Sequence, residues 1–314
     1  MATPNAPSKL ILARQYLAFR RKLGYRMRSA EVLVDFACFA DREAPGSPLT
    51  TALAIRWAMA VPSARPKTRV GRLSVVRGFA RYCASLDSRN QVPDPNLLGP
   101  GFQRVAPHLF TSAEVSLILK CTEHLETGHS PLHPLTYQTL IGLLASTGMR
   151  PGEALRLHCC DLDVDEATLR IRQCKFSPER VLALHPTTVR ALQSYRQKRQ
   201  ALFPWGETLF VGATGQPLSA RRAEKVFRRL TRGLVARSEK RPVRLMDFRH
   251  TFASERIAQW SRQSQPIAHH LLLLARYLGH RTFNSTWWYV SSDPLALRAA
   301  SERSRHFHKD HHAS

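Results

Sequence analysis

The chain has 314 residues, 43% of them hydrophobic, and carries 47 Lys and Arg against 23 Asp and Glu, a formal charge of +24. That apolar fraction can bury real cores, which excludes a disordered polycation, and the length accommodates two domains. So large a cationic excess repels itself unless a polyanion neutralises it, and nucleic acid is the partner to expect.

At the start, "MATPNAPSKL" has neither the basic nor the apolar segment of an export signal. No apolar run reaches the ~20 residues that span a bilayer. The basic residues are spread along the chain rather than gathered on one amphipathic helix, which disfavours a membrane surface. A cytoplasmic, nucleoid-associated protein with no membrane partner is expected. The six cysteines, Cys38, Cys83, Cys121, Cys159, Cys160 and Cys174, form no CxxC pair or zinc-finger spacing and read as reduced, mostly buried thiols.

Residues 1–87 read as a helical bundle. "SKLILARQYLAFRRKLGY" places Leu10, Ala13, Tyr16, Leu17 and Leu23 on one face with Arg and Lys opposite. "SAEVLVDFACFADRE" follows an N-cap serine, Ser29, and carries Val32, Leu33, Phe36, Cys38 and Phe39. "SPLTTALAIRWAMAV" and "RVGRLSVVRGFARYCASL" are two further helices, separated by the basic connector "PSARPKT". The cationic stretch that includes Arg65, Lys67, Arg69 and Arg72 is a candidate DNA-contacting face.

Residues 88–107, rich in Pro, Gly and polar side chains without a period, read as an interdomain linker. A second domain, 108–293, opens at "FTSAEVSLIL", with Thr111 capping and Glu114 three residues on. The helix "HPLTYQTLIGLLAS" stops at Gly148, and Pro151 begins the next, with Glu153 in its first turn. Arg150, just before that proline, is biased to extended backbone on a tight junction. "ATLRIRQCK", "FSPE" and "RVLALH" read as a β-hairpin, with Leu169, Ile171 and Gln173 alternating and Lys175 at the turn end. Helices are expected over 187–202, 219–237 and 247–259, and in "IAHHLLLLARYLGH", which closes at Gly279. Asp293 and Pro294 begin a last helix within 294–314, ahead of the polar tail "HFHKDHHAS".

Metal-free chemistry on a phosphodiester needs cations aimed at the non-bridging oxygens, a nucleophile in line and a proton donor for the leaving oxygen. Arginine suits the first task because its planar fork binds phosphate bidentately and stays charged. Arg150 and Arg249 are the two arginines set at helix junctions. The chain has no GxxxxGK[ST] phosphate loop and no carboxylate cluster of a two-metal nuclease, so neither a cofactor nor a metal is expected.

Taken in order, "TGMRPGEALRL", the hairpin lysine, "DFRHTFAS", "YLGH" and the tyrosine of "TWWYV" resemble the tyrosine recombinase, or phage integrase, family. The resemblance implies a mainly α fold with a small β-sheet: a SAM-like core-binding domain followed by a catalytic domain of the DNA breaking-rejoining fold. By position it assigns Arg150 and Arg249 to clamping the scissile phosphate and Lys175 to protonating the 5′ oxygen. It further assigns His280 to hydrogen-bonding the phosphate and Tyr289 to nucleophilic attack, with His250 in a supporting, structural role. Met246 stands where the family usually has histidine, and a thioether neither donates nor accepts a catalytic proton. Trp287 and Trp288 read as packing residues of the tyrosine's helix.

The function implied is site-specific DNA recombination in integration, excision or transposition of a mobile element. The partners implied are double-stranded DNA, three further copies in a tetramer on two DNA sites, and accessory recombinase or transposition proteins. The C-terminal helix either docks into a neighbouring protomer or folds back on its own domain. Two other readings stand beside this one: a catalytically impaired DNA-binding relative, favoured by Met246, and a type IB topoisomerase, which shares the chemistry without site preference.

Overall fold

The computed structural model describes residues 7–27, 29–61, 64–101, 106–127, 130–172, 179–234, 242–262, 267–280 and 282. Cys174, Lys175, Trp287, Trp288, Tyr289 and everything from Asp293 onward lie outside the described residues. The chain divides into two compact units, Met1–Arg104 and Val105–Ser314.

The first unit holds four described helices: α1 (Lys9–Lys22), α2 (Ala30–Glu43), α3 (Thr51–Met59) and α4 (Pro66–Leu86). Their buried faces carry Ala13, Tyr16 and Leu17, then Leu33, Phe36 and Ala37, then Leu53 and Trp57, then Leu73, Val76 and Phe79. Asp41 of α2 ties the start of α1 down, accepting from the Ser8 hydroxyl and from the Lys9 and Leu10 amides. The helix expected after "PSARPKT" begins earlier, because Pro66 supplies a preset φ at its first position. Leu23 lies past the end of α1 and is exposed, and Cys38 points outward between buried Ala37 and Ala40.

Residues 88–101, whose composition suggests a linker, are held on the first unit. Asn90 accepts from the Leu49 amide at 2.8 Å and donates to the Cys83 carbonyl at 3.3 Å, while the Gln91 side chain accepts from the Thr51 amide at 2.9 Å. Gly101 sits so close to Val70 that a Cβ there would lie 2.5 Å from the valine side chain.

In the second unit come α5 (Ser112–Glu123), α6 (His133–Thr147), the single turn α7 (Pro151–Ala154) and a three-stranded antiparallel sheet. The strands are β1 (Leu162–Asp163), β2 (Thr168–Ile171) and β3 (Arg180–Ala183), then α8 (Pro186–Leu202), α9 (Ala220–Leu230), α10 (Asp247–Arg262) and α11 (Ile267–Leu278). Thr111 and Glu114 form the expected capping box of α5. The hairpin forms in the register Leu169↔Leu182 and Ile171↔Arg180, with Leu169, Ile171 and Leu182 facing the core. The short β1 was not foreseen, two residues being too few to show a period. Central α6 is apolar on nearly every side and packs against α5, α8 and α10.

Of the five described cysteines only Cys83 is buried; Cys38 and Cys160 are exposed, so the expectation of mostly buried thiols does not hold. Cys160 sits on the 3₁₀ turn Cys159–Asp161, where the Arg172 guanidinium meets its sulfur at 3.1 Å.

Candidate active site

Local rules place Arg150. Gly148 ends α6 with φ 60 and ψ 15, a left-handed conformation that costs glycine no Cβ clash. A side chain there would also meet Phe252 of α10, 2.6–2.9 Å from a built Cβ. Arg150 then adopts φ −70 and ψ 138, the extended geometry favoured before proline, and Pro151 opens α7. The buried Glu153 carboxylate on α7 turns back to accept from the Arg150 amide at 3.1 Å and from Arg150 Nη1 at 2.9 Å.

Arg249 is set by α10. Phe248, one residue earlier, stacks on Phe110 at 4.4 Å between ring centroids and touches Phe227, anchoring the helix in the core. Thr251 accepts from the Phe110 amide at 2.9 Å, a second tie at the same level. With that face fixed, the Arg249 side chain is buried beneath α6 and α11, donating to the Gly148 carbonyl at 3.2 Å and to the Leu278 carbonyl at 2.7 Å.

His280 follows the end of α11. Gly279 has φ 67; its amide donates to the Arg276 carbonyl at 3.0 Å and that of His280 to the Ala275 carbonyl at 2.9 Å, a Schellman motif. Three successive carbonyls at this end each receive an arginine: Tyr277 from Arg180 Nε at 2.7 Å, Leu278 from Arg249, and Gly279 from Arg150 Nη2 at 3.1 Å. Cations at a helix C-terminus also meet the negative end of its dipole. Arg150, Arg249 and His280, distant in sequence, thus meet at one helix end.

The electrostatics follow from burial and these charges. Burial pushes the Glu153 carboxyl up, but hydrogen bonding and charge from Arg180, then from Arg150, override it and hold it at about 2. His280 is pushed down to about 3, first by burial and then by the charges of Arg249, Arg150 and Arg180. Its imidazole is therefore neutral at pH 7, suited to giving one hydrogen bond to a phosphate oxygen rather than adding a further charge.

The other expected residues sit as follows. Met246 is half-buried in the turn before α10, its carbonyl accepting from the Arg249 amide at 3.1 Å. His250 is half-buried on α10. Arg65, the N-cap of α4, and Lys67 in its first turn are exposed, and Arg69 is half-buried. Arg72 is turned into its own unit: the guanidinium lies 3.7 Å over the Trp57 ring, donates to the Trp57 carbonyl at 3.2 Å and approaches Asp35 at 3.6 Å.

Sequence reasoning missed Arg180. Its signal was available: β-alternation puts residue 180 on the same face as buried Leu182, and an arginine on a core face demands a partner. The partner is Glu153, at 2.8 Å from Arg180 Nη2.

Comparison with known proteins identifies the family. The model of the phage integrase family matches residues 109–295. "Putative integrase/recombinase y4rB" of Sinorhizobium fredii is 35% identical over 301 residues, covering 92% of this chain and 94% of that protein. Tyrosine recombinase XerC of Rhodospirillum centenum is 28% identical over 249 residues, 78% of this chain and 68% of that protein. Among solved structures, the Tn1549 transposon integrase in complex with a circular intermediate DNA superposes with a TM-score of 0.69 at 17% identity, over 94% of this chain and 99% of that one. XerH recombinase bound to its difH substrate gives 0.66 at 20% identity, over 87% of this chain and 77% of that one. At those identities the structural likeness is one of fold, but the family match covers more than half of the chain, which belongs to the phage integrase family of tyrosine recombinases.

Proposed function

We propose that this tyrosine recombinase is a site-specific integrase of a mobile element that breaks and rejoins double-stranded DNA through a 3′-phosphotyrosine on Tyr289. The observation that carries the reading is the convergence of Arg150, Arg249 and His280 on the last turn of α11. In this scheme Arg150 and Arg249 hold the non-bridging oxygens, and His280 donates one hydrogen bond to the same phosphate. The Tyr289 oxygen attacks phosphorus, the bond to the 5′ oxygen breaks, and Lys175 gives that oxygen its proton. A phenol with its ordinary pKa near 10 is a weak nucleophile, and Met246 cannot take its proton. Deprotonation of Tyr289 then falls to solvent, under the positive field of the arginines. The phosphotyrosine ester conserves the energy of the broken bond, so a 5′ hydroxyl can reverse the step on a new strand.

DNA contact beyond the reacting phosphate is assigned to Arg65, Lys67 and Arg69 at the start of α4. The assembly is four copies on two duplexes, helped by accessory recombination or transposition proteins, and its place is the cytoplasmic nucleoid. No described helix is long and apolar enough to cross a membrane.

A nicked suicide duplex carrying the element's end tests this. The expected product is a protein–DNA adduct stable to denaturant, absent in Tyr289→Phe and dependent on one sequence. An adduct on any sequence would instead indicate topoisomerase chemistry. Met246→His should leave the adduct yield of the same order; an adduct seen only with that variant would mean that the native chain binds DNA without cutting it.

A further inference from the structure

Arg180 is outside every role assigned so far, yet it is among the most deeply engaged cations of the second unit. Its side chain is 8% exposed, at the first residue of β3. One edge of its guanidinium faces Glu153, with Nη2 2.8 Å from Oε2 and Nη1 3.4 Å from Oε1. Nε donates to the Tyr277 carbonyl at 2.7 Å. One side chain therefore joins the strand that follows Lys175 in sequence, the turn that carries Arg150, and the helix end that leads into His280.

The charge count explains why a second arginine is needed there. Glu153 is almost wholly removed from water, its side chain 2% exposed, so its oxygens must be satisfied by protein donors. If Arg150 were its sole cationic partner, the pair would be neutral, and the guanidinium would be drawn onto the carboxylate and away from the Gly279 carbonyl. Two arginines sharing one carboxylate leave a net positive charge, and their shortest side-chain contacts fall on different Glu153 oxygens: Oε1 with Arg150 Nη1 at 2.9 Å and Oε2 with Arg180 Nη2 at 2.8 Å. The helix end obeys the same logic. With Arg249 and Arg150 on the Leu278 and Gly279 carbonyls, loss of Arg180 would release the Tyr277 carbonyl and loosen the turn from which His280 projects.

We propose that Arg180 is a positioning residue for strand cleavage: by sharing Glu153 with Arg150 and holding the Tyr277 carbonyl, it aims Arg150 and the turn before His280 at the scissile phosphate. This rests on the recombinase reading above. Lysine is a partial substitute, since a single ammonium can meet Glu153 but lacks the fork that reaches Tyr277 at the same time.

The test uses the full chain as wild type, Arg180→Ala and Arg180→Lys, with two readouts. In the first, covalent capture is timed on a suicide duplex with a normal scissile phosphate and on one with a neutral methylphosphonate there. Arg180→Ala should be slowed about 100-fold on the phosphodiester, the scale of a misaimed catalytic group. It should lose most of that defect on the methylphosphonate, which has no anionic oxygen pair to clamp, and Arg180→Lys should fall between. The second readout is amide hydrogen exchange without DNA. In Arg180→Ala, exchange should quicken at Gly279 and His280 while α6 and α8 keep wild-type rates. Equal losses on both substrates, or faster exchange throughout the unit, would make Arg180 a general fold residue and overturn the proposal, as would unchanged cleavage. If wild type forms no Tyr289-linked adduct, the recombinase reading falls and takes the cleavage role with it, while the exchange arm still decides whether Arg180 holds the end of α11.

Discussion

Glu153 and His280 show how far one buried residue can report on a whole site. The folded Glu153 carboxyl titrates at about 2 against an ordinary 4.5, so the unfolded chain takes up that proton first. Its contribution to stability is complete above pH 4.5 and is lost as pH falls toward 2, a window worth roughly 3 kcal/mol. His280 has the same sign for a different reason. Its folded imidazole resists protonation down to about 3 against an ordinary 6.5, so stability falls as pH drops through that range. Denaturant titrations at stepped pH should show Glu153→Gln flattening the loss below pH 4.5 and His280→Asn flattening it between pH 6.5 and about 3. A Glu153→Gln profile parallel to wild type throughout would mean that the carboxylate is not the ionised partner of Arg150 and Arg180. Arg150 and Arg249 stood out at helix junctions, but only the family resemblance of the ordered motifs joined them with His280 as one candidate site. Arg180 was passed over because nothing near it in sequence names its partner, 27 residues away on α7.

Among the elements, the junction from α6 to α7 carries the greatest load. Gly148 combines a left-handed backbone, a contact with Phe252 too close for a Cβ, and a carbonyl that receives Arg249. Gly148→Ala should destabilise the protein by roughly 1–2 kcal/mol from the backbone and about 1–3 kcal/mol more from overpacking. Chemical denaturation measures the sum, and adduct formation should fall further than the folded fraction does, because Arg249 shifts with its acceptor. A stable Gly148→Ala protein with full activity would show that the junction tolerates movement. Elements with strong local chemistry were readable: the Thr111 capping box, the stop at Gly148, the hairpin and the Gly279 ending of α11 all form. Residues 88–101 were not. Their composition is that of a loop, and only the docking of Asn90, Gln91 and Gly101 onto α3, α4 and the turn before α3 gives them a fixed course.

For the whole molecule, the charge of +24 sets the terms of DNA binding. Affinity should fall steeply with salt, log K declining by about 0.9 per log unit of salt for each phosphate neutralised. Replacing Arg65, Lys67 and Arg69 together by alanine should make that slope shallower by up to about 3, weakening all sequences alike. Arg72→Ala should act differently, lowering the melting temperature of the first unit, because its guanidinium is spent on Trp57 and Asp35. A salt slope unchanged by the triple substitution would remove the start of α4 from the DNA interface.

Family, helical class and the order of candidate catalytic residues were written in the sequence, since they depend on residue type, spacing and local backbone preference. The tertiary structure alone decided which groups share a charge and which donor meets which acceptor. Those depend on distances between elements far apart in the chain. So Arg72, equal to its basic neighbours in sequence, became a packing residue. Arg180, one arginine among many, became the link between Glu153 and the end of α11.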